Sequence, residues 1–127
     1  MPVVPISWGE LLDKISILEI KSVRLTSEQA RANVRDELSQ LATIAASAGV
    51  GNDQINALKT ALKQVNETLW EIEDRIRDHE ERKIFDRDFV ELARAVYINN
   101  DERGRIKREI NLLLKSELIE EKQYKSY

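Results

Sequence analysis

Ile55–His79 reads I-N-A-L-K-T-A-L-K-Q-V-N-E-T-L-W-E-I-E-D-R-I-R-D-H, and the placing of its apolar residues decides the fold. Ile55, Leu58, Leu62, Val65, Leu69, Ile72, Ile76 and His79 follow one another at alternating intervals of three and four. On a helix of 3.6 residues per turn that spacing keeps one narrow stripe on one side, the a/d seam of coiled-coil-like packing. A long helix is predicted over 53–83, and a stripe of that length needs a partner beside it.

Upstream, Val34, Leu38, Leu41, Ala45 and Ala48 continue the same alternation. Gly49, Gly51 and Asn52 then interrupt it, with Gly49 suited to a left-handed C′ position and Asp53 to capping the next helix. So short a connection makes this helix the natural antiparallel neighbour of 53–83. At the start of the chain, Pro2 and Pro5 hold residues 1–6 in an extended arm. Ser7, with Glu10 three residues on, forms the pattern of a capping box. The helix that follows carries Leu11, Ile15, Leu18 and Leu25 on one face and Ile17 and Ile20 on another, with Leu12 and Val23 widening the coverage. It reads as a central helix or as one that also forms an oligomer interface. Thr26 and Gln29 allow a second capping box, so 7–48 is either one helix or a kinked pair.

Downstream, Lys83–Arg87 breaks the pattern and Asp86 caps a last helix over 86–117. Phe89, Leu92, Val96, Ile106, Ile110 and Leu113 form its apolar line, which Asn99, Arg103 and Glu117 interrupt. Either the helix carries a polar patch, or it breaks near 99–101 and restarts with Asp101 as cap. Residues 118–127 form a charged tail. The fold class is all-α: a long antiparallel helical hairpin or bundle of three to five helices with coiled-coil-like heptad seams, in one domain over 1–127.

Composition narrows the chemistry. Charged residues make up 34% of the chain, which solvated faces of long helices accommodate. The absence of Cys excludes disulfides and thiolate chemistry, and the single His79 excludes a multi-histidine site within one chain, so any metal would need carboxylates; no metal or cofactor is expected. The net charge of −3 is spread so that neither half is basic, which argues against nucleic acid as a partner. The run Arg103, Arg105, Lys107, Arg108 has no interleaved aromatic for base stacking. No apolar run approaches the roughly 20 residues of a membrane span, and the first residues lack a signal-peptide pattern, so a cytoplasmic protein is expected.

The polar interruption marks the candidate binding residues: Asn99, Asn100, Asp101, Arg103 and Lys107. Arg103 and Lys107 lie one turn apart and are suited to gripping a phosphate or carboxylate, with Asn99 orienting it. Trp8, Ile17, Ile20 and Trp70 are the interface candidates, large apolar groups with no obvious cover in a small bundle. The pairs Glu10–Asp13 and Glu71–Asp74 have the spacing by which some helical pyrophosphatases hold Mg²⁺. The E-E-x-x-E element that accompanies it there is missing, since Glu80-Glu81 runs on into Arg82, Lys83 and Ile84. Both pairs read as surface charge.

Three blocks carry a resemblance: P-I-S-W-G-E-L-L-D-K-I-S-I-L-E-I-K (Pro5–Lys21), L-W-E-I-E-D-R-I-R (Leu69–Arg77), and F-V-E-L-A-R-A-V-Y followed by N-D-E-R-G-R-I-K-R-E-I-N and S-E-L-I-E-E-K. Together they resemble a family of small bacterial helical proteins of unknown function. The resemblance implies no established activity, so no catalytic residue follows from it. The function expected is a helical protein–protein interaction or scaffold module, a homo-oligomer that also engages another protein, with no enzymatic activity. The alternative is a binder or enzyme for an anionic small molecule, a phosphate or nucleotide-sugar, at the Asn99–Lys107 patch.

Overall fold

The structure, a computed structural model, describes residues 1–48, 51–115, 123 and 125–127. These form four helices, α1 (Trp8–Arg24), α2 (Glu28–Ser47), α3 (Asp53–Arg82) and α4 (Arg87–Leu113), and no strand among the described residues. Every helix starts on a side chain that accepts an otherwise orphaned backbone N–H. Ser7 Oγ takes Glu10 N at 3.2 Å, Ser27 Oγ takes Ala30 N at 3.3 Å, Asn52 Oδ1 takes Ile55 N at 2.8 Å, and Asp86 Oδ1 takes Phe89 N at 3.1 Å. Each such cap contributes about 1 kcal/mol.

Two of these caps stand one residue from the sequence expectation, at Ser27 rather than Thr26 and at Asn52 rather than Asp53. In both places the acid that follows, Glu28 or Asp53, is thereby left in the first turn, where the helix dipole favours a negative charge. The capping box at Ser7 is only half made. Glu10 does not fold back; its carboxylate reaches Lys107 Nζ at 2.8 Å instead.

The segment 7–48 is two helices, since Leu25 leaves the helical region at φ −69°, ψ 140°. By contrast α4 runs unbroken through Asn99–Gly104, so Asp101 starts no new helix. The Asn99 carboxamide donates to the Ala95 carbonyl one turn back at 2.8 Å and so stays within the helix. Leu113, placed on the apolar line by its spacing, is 40% exposed. Gly49, Glu117 and the tail as far as residue 122 lie outside the described residues.

α1 touches all three other helices and is the central one. Its Leu11, Leu12 and Ile15 join Ile55 and Leu62 of α3 and Ile106 and Ile110 of α4 in one core. The most extensive helix pair is α3 with α4. The expected pairing of α2 with α3 is not found: among the described residues α2 lies against α1 and makes no close backbone approach to α3. The physical reason is the narrowness of its stripe. Val34 is its one buried residue, whereas α4 offers α3 the deeper Leu92, Ile106 and Ile110.

α1 and α4 meet at Gly9, whose N–H donates to Asn111 Oδ1 at 2.7 Å. A Cβ on residue 9 would lie 2.5 Å from the Lys107 carbonyl oxygen and 2.8 Å from Asn111 Oδ1, so only glycine allows this approach. Gly9→Ala is therefore expected to destabilise by about 1–3 kcal/mol through forced separation of the two helices. Gly51→Ala, where nothing lies within 4 Å, is expected to be neutral. Thermal denaturation of the two variants checks the contrast; a Gly9→Ala melting temperature equal to the parent's would contradict this close packing.

Candidate functional site

Asp13 lies on α1 among Leu11, Leu12 and Ile15 and is only 1% exposed. An ionised carboxylate there costs several kcal/mol unless charge and hydrogen bonds replace its water. Arg103 of α4 supplies both. Its Nε donates to Asp13 Oδ1 at 2.8 Å and its Nη2 to Oδ2 at 2.5 Å, a two-point pairing that sets position as well as energy. Asn66 of α3 adds a donor, with Nδ2 at 3.0 Å from Asp13 Oδ1 and 2.7 Å from Ser16 Oγ. Ser16 in turn donates to the Asp13 carbonyl at 2.9 Å. One buried polar knot thus ties three helices.

Burial pushes the Asp13 carboxyl up. The hydrogen bonds from Arg103 and Asn66 and the charges of Arg103 and Lys107 outweigh it, and hold the group below the ordinary carboxylate range. A second α1–α4 ion pair lies next to it: Lys107, 5% exposed, reaches Glu10 across the same contact. The reading of Glu10–Asp13 as surface charge is therefore wrong. Asp13 is buried, and both residues connect α1 to α4.

Beside this knot a cleft of about 540 Å³ opens between α1, α3 and α4. Ile17, Leu69 and Val96 are among its apolar walls, and Trp70 presents its half-buried indole to it. Asn66, Asn100 and Arg103 bring polar groups to it, and Lys21, Glu73, Asp74 and Arg77 bring charge. Among the described residues neither the Trp70 indole N–H nor the Asn100 carboxamide makes a hydrogen bond. A concave, largely apolar surface of this size with a few unengaged polar groups has the make-up of a binding site.

The candidate residues do not converge on one place. Asn99 turns onto its own helix, and Asp101 meets the Tyr127 hydroxyl, whose pKa it raises by accepting that hydrogen bond. Lys107 faces Glu10. Only Asn100 and Arg103 reach the cleft, and Arg103 does so with its guanidinium already paired to Asp13. Of the interface candidates, Trp8 packs against the core and Ile20 is 4% exposed, covered within its own chain. Ile17, Trp70 and the small exposed part of Ile20 line the cleft.

The sequence reading missed Asp13, Ser16, Asn66 and Asn111. A signal for the first two exists: Gly9, Asp13 and Ser16 are spaced four and three on α1, a stripe of small and polar residues beside the apolar Leu11, Leu12 and Ile15. Arg103, Lys107 and Asn111 at intervals of four form its counterpart on α4.

Removing the charge of Asp13 breaks its two-point pairing with Arg103. Asp13→Asn is expected to cost about 3 kcal/mol, as broken buried pairs do. The native carboxyl has its pKa lowered from 3.8, so its contribution is complete above that value and is lost as pH falls below it towards the folded-state pKa. Melting temperatures between pH 6 and 3 should therefore fall more steeply in the parent than in Asp13→Asn. Parallel curves would show that the Asp13 carboxyl is not held below its ordinary range.

Among the described residues, no helix is long and apolar enough to cross a membrane, and no three His, Cys, Asp or Glu side chains group as metal ligands. No curated protein and no solved structure matches the chain. The sequence model of one family, described as a family of unknown function (DUF6165), matches residues 2–127. The three sequence blocks, the glycine contact at Gly9 and the residues of the buried knot all fall within that match, and the chain belongs to this DUF6165 family.

Proposed function

We propose that this chain is a helical interaction module that associates with itself and binds through the α1/α3/α4 cleft, without catalysing a reaction. One observation carries the reading: Trp70 is half-buried at an apolar cleft, with its indole N–H and the Asn100 carboxamide making no hydrogen bond among the described residues. Aromatic groups in such surroundings are the anchors of protein interfaces. The absence of catalysis is supported by the knot, where Asp13 and Arg103 hold each other and leave no base beside a nucleophile.

Within this reading the four helices form an antiparallel bundle with coiled-coil-like seams. The contacts Gly9–Asn111, Glu10–Lys107 and Asp13–Arg103 support it, descending α4 as they ascend α1. A second reading, an anionic small molecule such as a phosphate or nucleotide-sugar, draws on Lys21 and Arg103 lining the same cleft. It moves the expected anion site from the Asn99–Lys107 patch to the cleft, which Asn100 and Arg103 share with Lys21.

Light scattering after size-exclusion chromatography tests the first reading. The expected result is a species larger than the monomer at tens of micromolar, shifted towards monomer by Trp70→Ala without loss of helicity. A chain monomeric at every concentration would overturn self-association. Thermal shifts with phosphate and nucleotide-sugars test the second reading, with stabilisation expected to disappear in Lys21→Ala.

A further inference from the structure

We propose that the occupant of the cleft is the N-terminal arm of a second copy, exchanged reciprocally, so that Pro2–Ile6 of each chain lies between α1, α3 and α4 of the other. This rests on the cleft being an interaction surface and names what it holds.

The arm itself is the first argument. Met1, Val3, Val4 and Ile6 are 104, 94, 67 and 47% exposed. Consecutive apolar side chains left in water beside a folded body mark a surface that is covered in use. The segment is also stiff. Pro2 and Pro5 fix their own φ, the residues before them are driven to extended geometry, and Ser7 continues in the polyproline region at φ −74°, ψ 158°. Pro2-Val3-Val4-Pro5 is a Pro-x-x-Pro segment, the kind that docks on aromatic-lined grooves at low entropic cost. The family match starts at residue 2, so the arm belongs to the matched unit.

The cleft complements it group for group. A polyproline segment makes no internal hydrogen bonds, so its carbonyls need donors, and its prolines have no N–H to offer in return. Among the described residues, donors are what the cleft holds unengaged: the Trp70 indole N–H and the Asn100 carboxamide, with Lys21 also in its lining. The Trp70 ring offers a flat face to a proline, and Ile17, Leu69 and Val96 meet the valines.

Reach decides between the chain's own arm and another's. The arm joins α1 at Ser7, while α1 lines the cleft from Ile17 to Lys21. That is about 15–20 Å along the helix at 1.5 Å per residue. Six fully extended residues span about 20 Å, so an arm doubled back on its own chain brings only its tip into the cleft. An arm from a second copy is not tethered in this way. Exchange about a twofold axis also doubles the buried surface, moving it towards the roughly 1,000 Å² that stable association needs.

The test compares the full chain with a variant lacking residues 2–6, both in a Trp8→Phe background so that fluorescence reports Trp70 alone. The arm is exposed and outside every helix, so the shortened chain should keep its circular dichroism and unfold cooperatively, at a temperature lowered only by the dimer's share of the stability. The expected result is a dimer for the full chain and a monomer for the shortened one, with red-shifted Trp70 emission. A peptide of residues 1–7 should restore the blue shift, and one with Val3→Asp and Val4→Asp should not. A shortened chain that stays dimeric overturns the arm exchange while leaving self-association intact. A full chain that is monomeric overturns both, and one that is monomeric yet binds the peptide assigns the cleft to a Pro-x-x-Pro segment of another protein.

Discussion

Asp13 is the constraint on which the rest of the arrangement depends. A carboxylate 1% exposed on the central helix cannot remain ionised unless a cation is held against it. Arg103 meets it through two parallel hydrogen bonds, which work at only one relative position of α1 and α4. Asn66 extends the same condition to α3. The apolar cluster that includes Leu62, Ile106 and Ile110 supplies most of the driving force, yet apolar burial is non-directional and tolerates a shift of register. The polar knot does not, because a displaced helix would leave a charge unpaired.

The other α1–α4 contacts are consistent with that register. Gly9 gives Asn111 room to accept its N–H, and Lys107 takes the Glu10 carboxylate that a capping box would have turned back on α1. These pairs bring a close polar contact to α1 and α4 beside the apolar core they share. α3 and α4, the most extensive helix pair, bring Ile55 and Leu62 together with Ile106 and Ile110 in the apolar core. A cleft opens beside the knot, lined by the same three helices, and Asn66 and Arg103 belong to both. The groups that position the bundle therefore also form part of its binding surface, and a ligand there meets a surface set before it arrives.

How far the residues could be read in advance follows from how local each feature is. Helix starts at Ser7 and Asp86 were legible because a cap bonds to a backbone N–H three residues away. The long stripe from Ile55 was legible because its period belongs to one helix. The partner of α2 was not, since a short connection fixes what is near in sequence but not which face is deeper. Asp13 was misread for a related reason. Its spacing from Glu10 resembles any exposed acidic pair, and its burial depends on α4, some ninety residues away.

The sequence by itself determined that the chain is helical, roughly where each helix begins, and that Arg103 interrupts an apolar line. These follow from propensity, capping and periodicity, which act within a few residues. The tertiary structure alone decided that Arg103 answers Asp13, that Lys107 answers Glu10, and that Asn100 is left to the cleft while Asn99 is not. A charge on a helix face carries no mark of the charge it will meet. That is settled only when helices distant in sequence pack, and burial makes one pairing far less costly than the others.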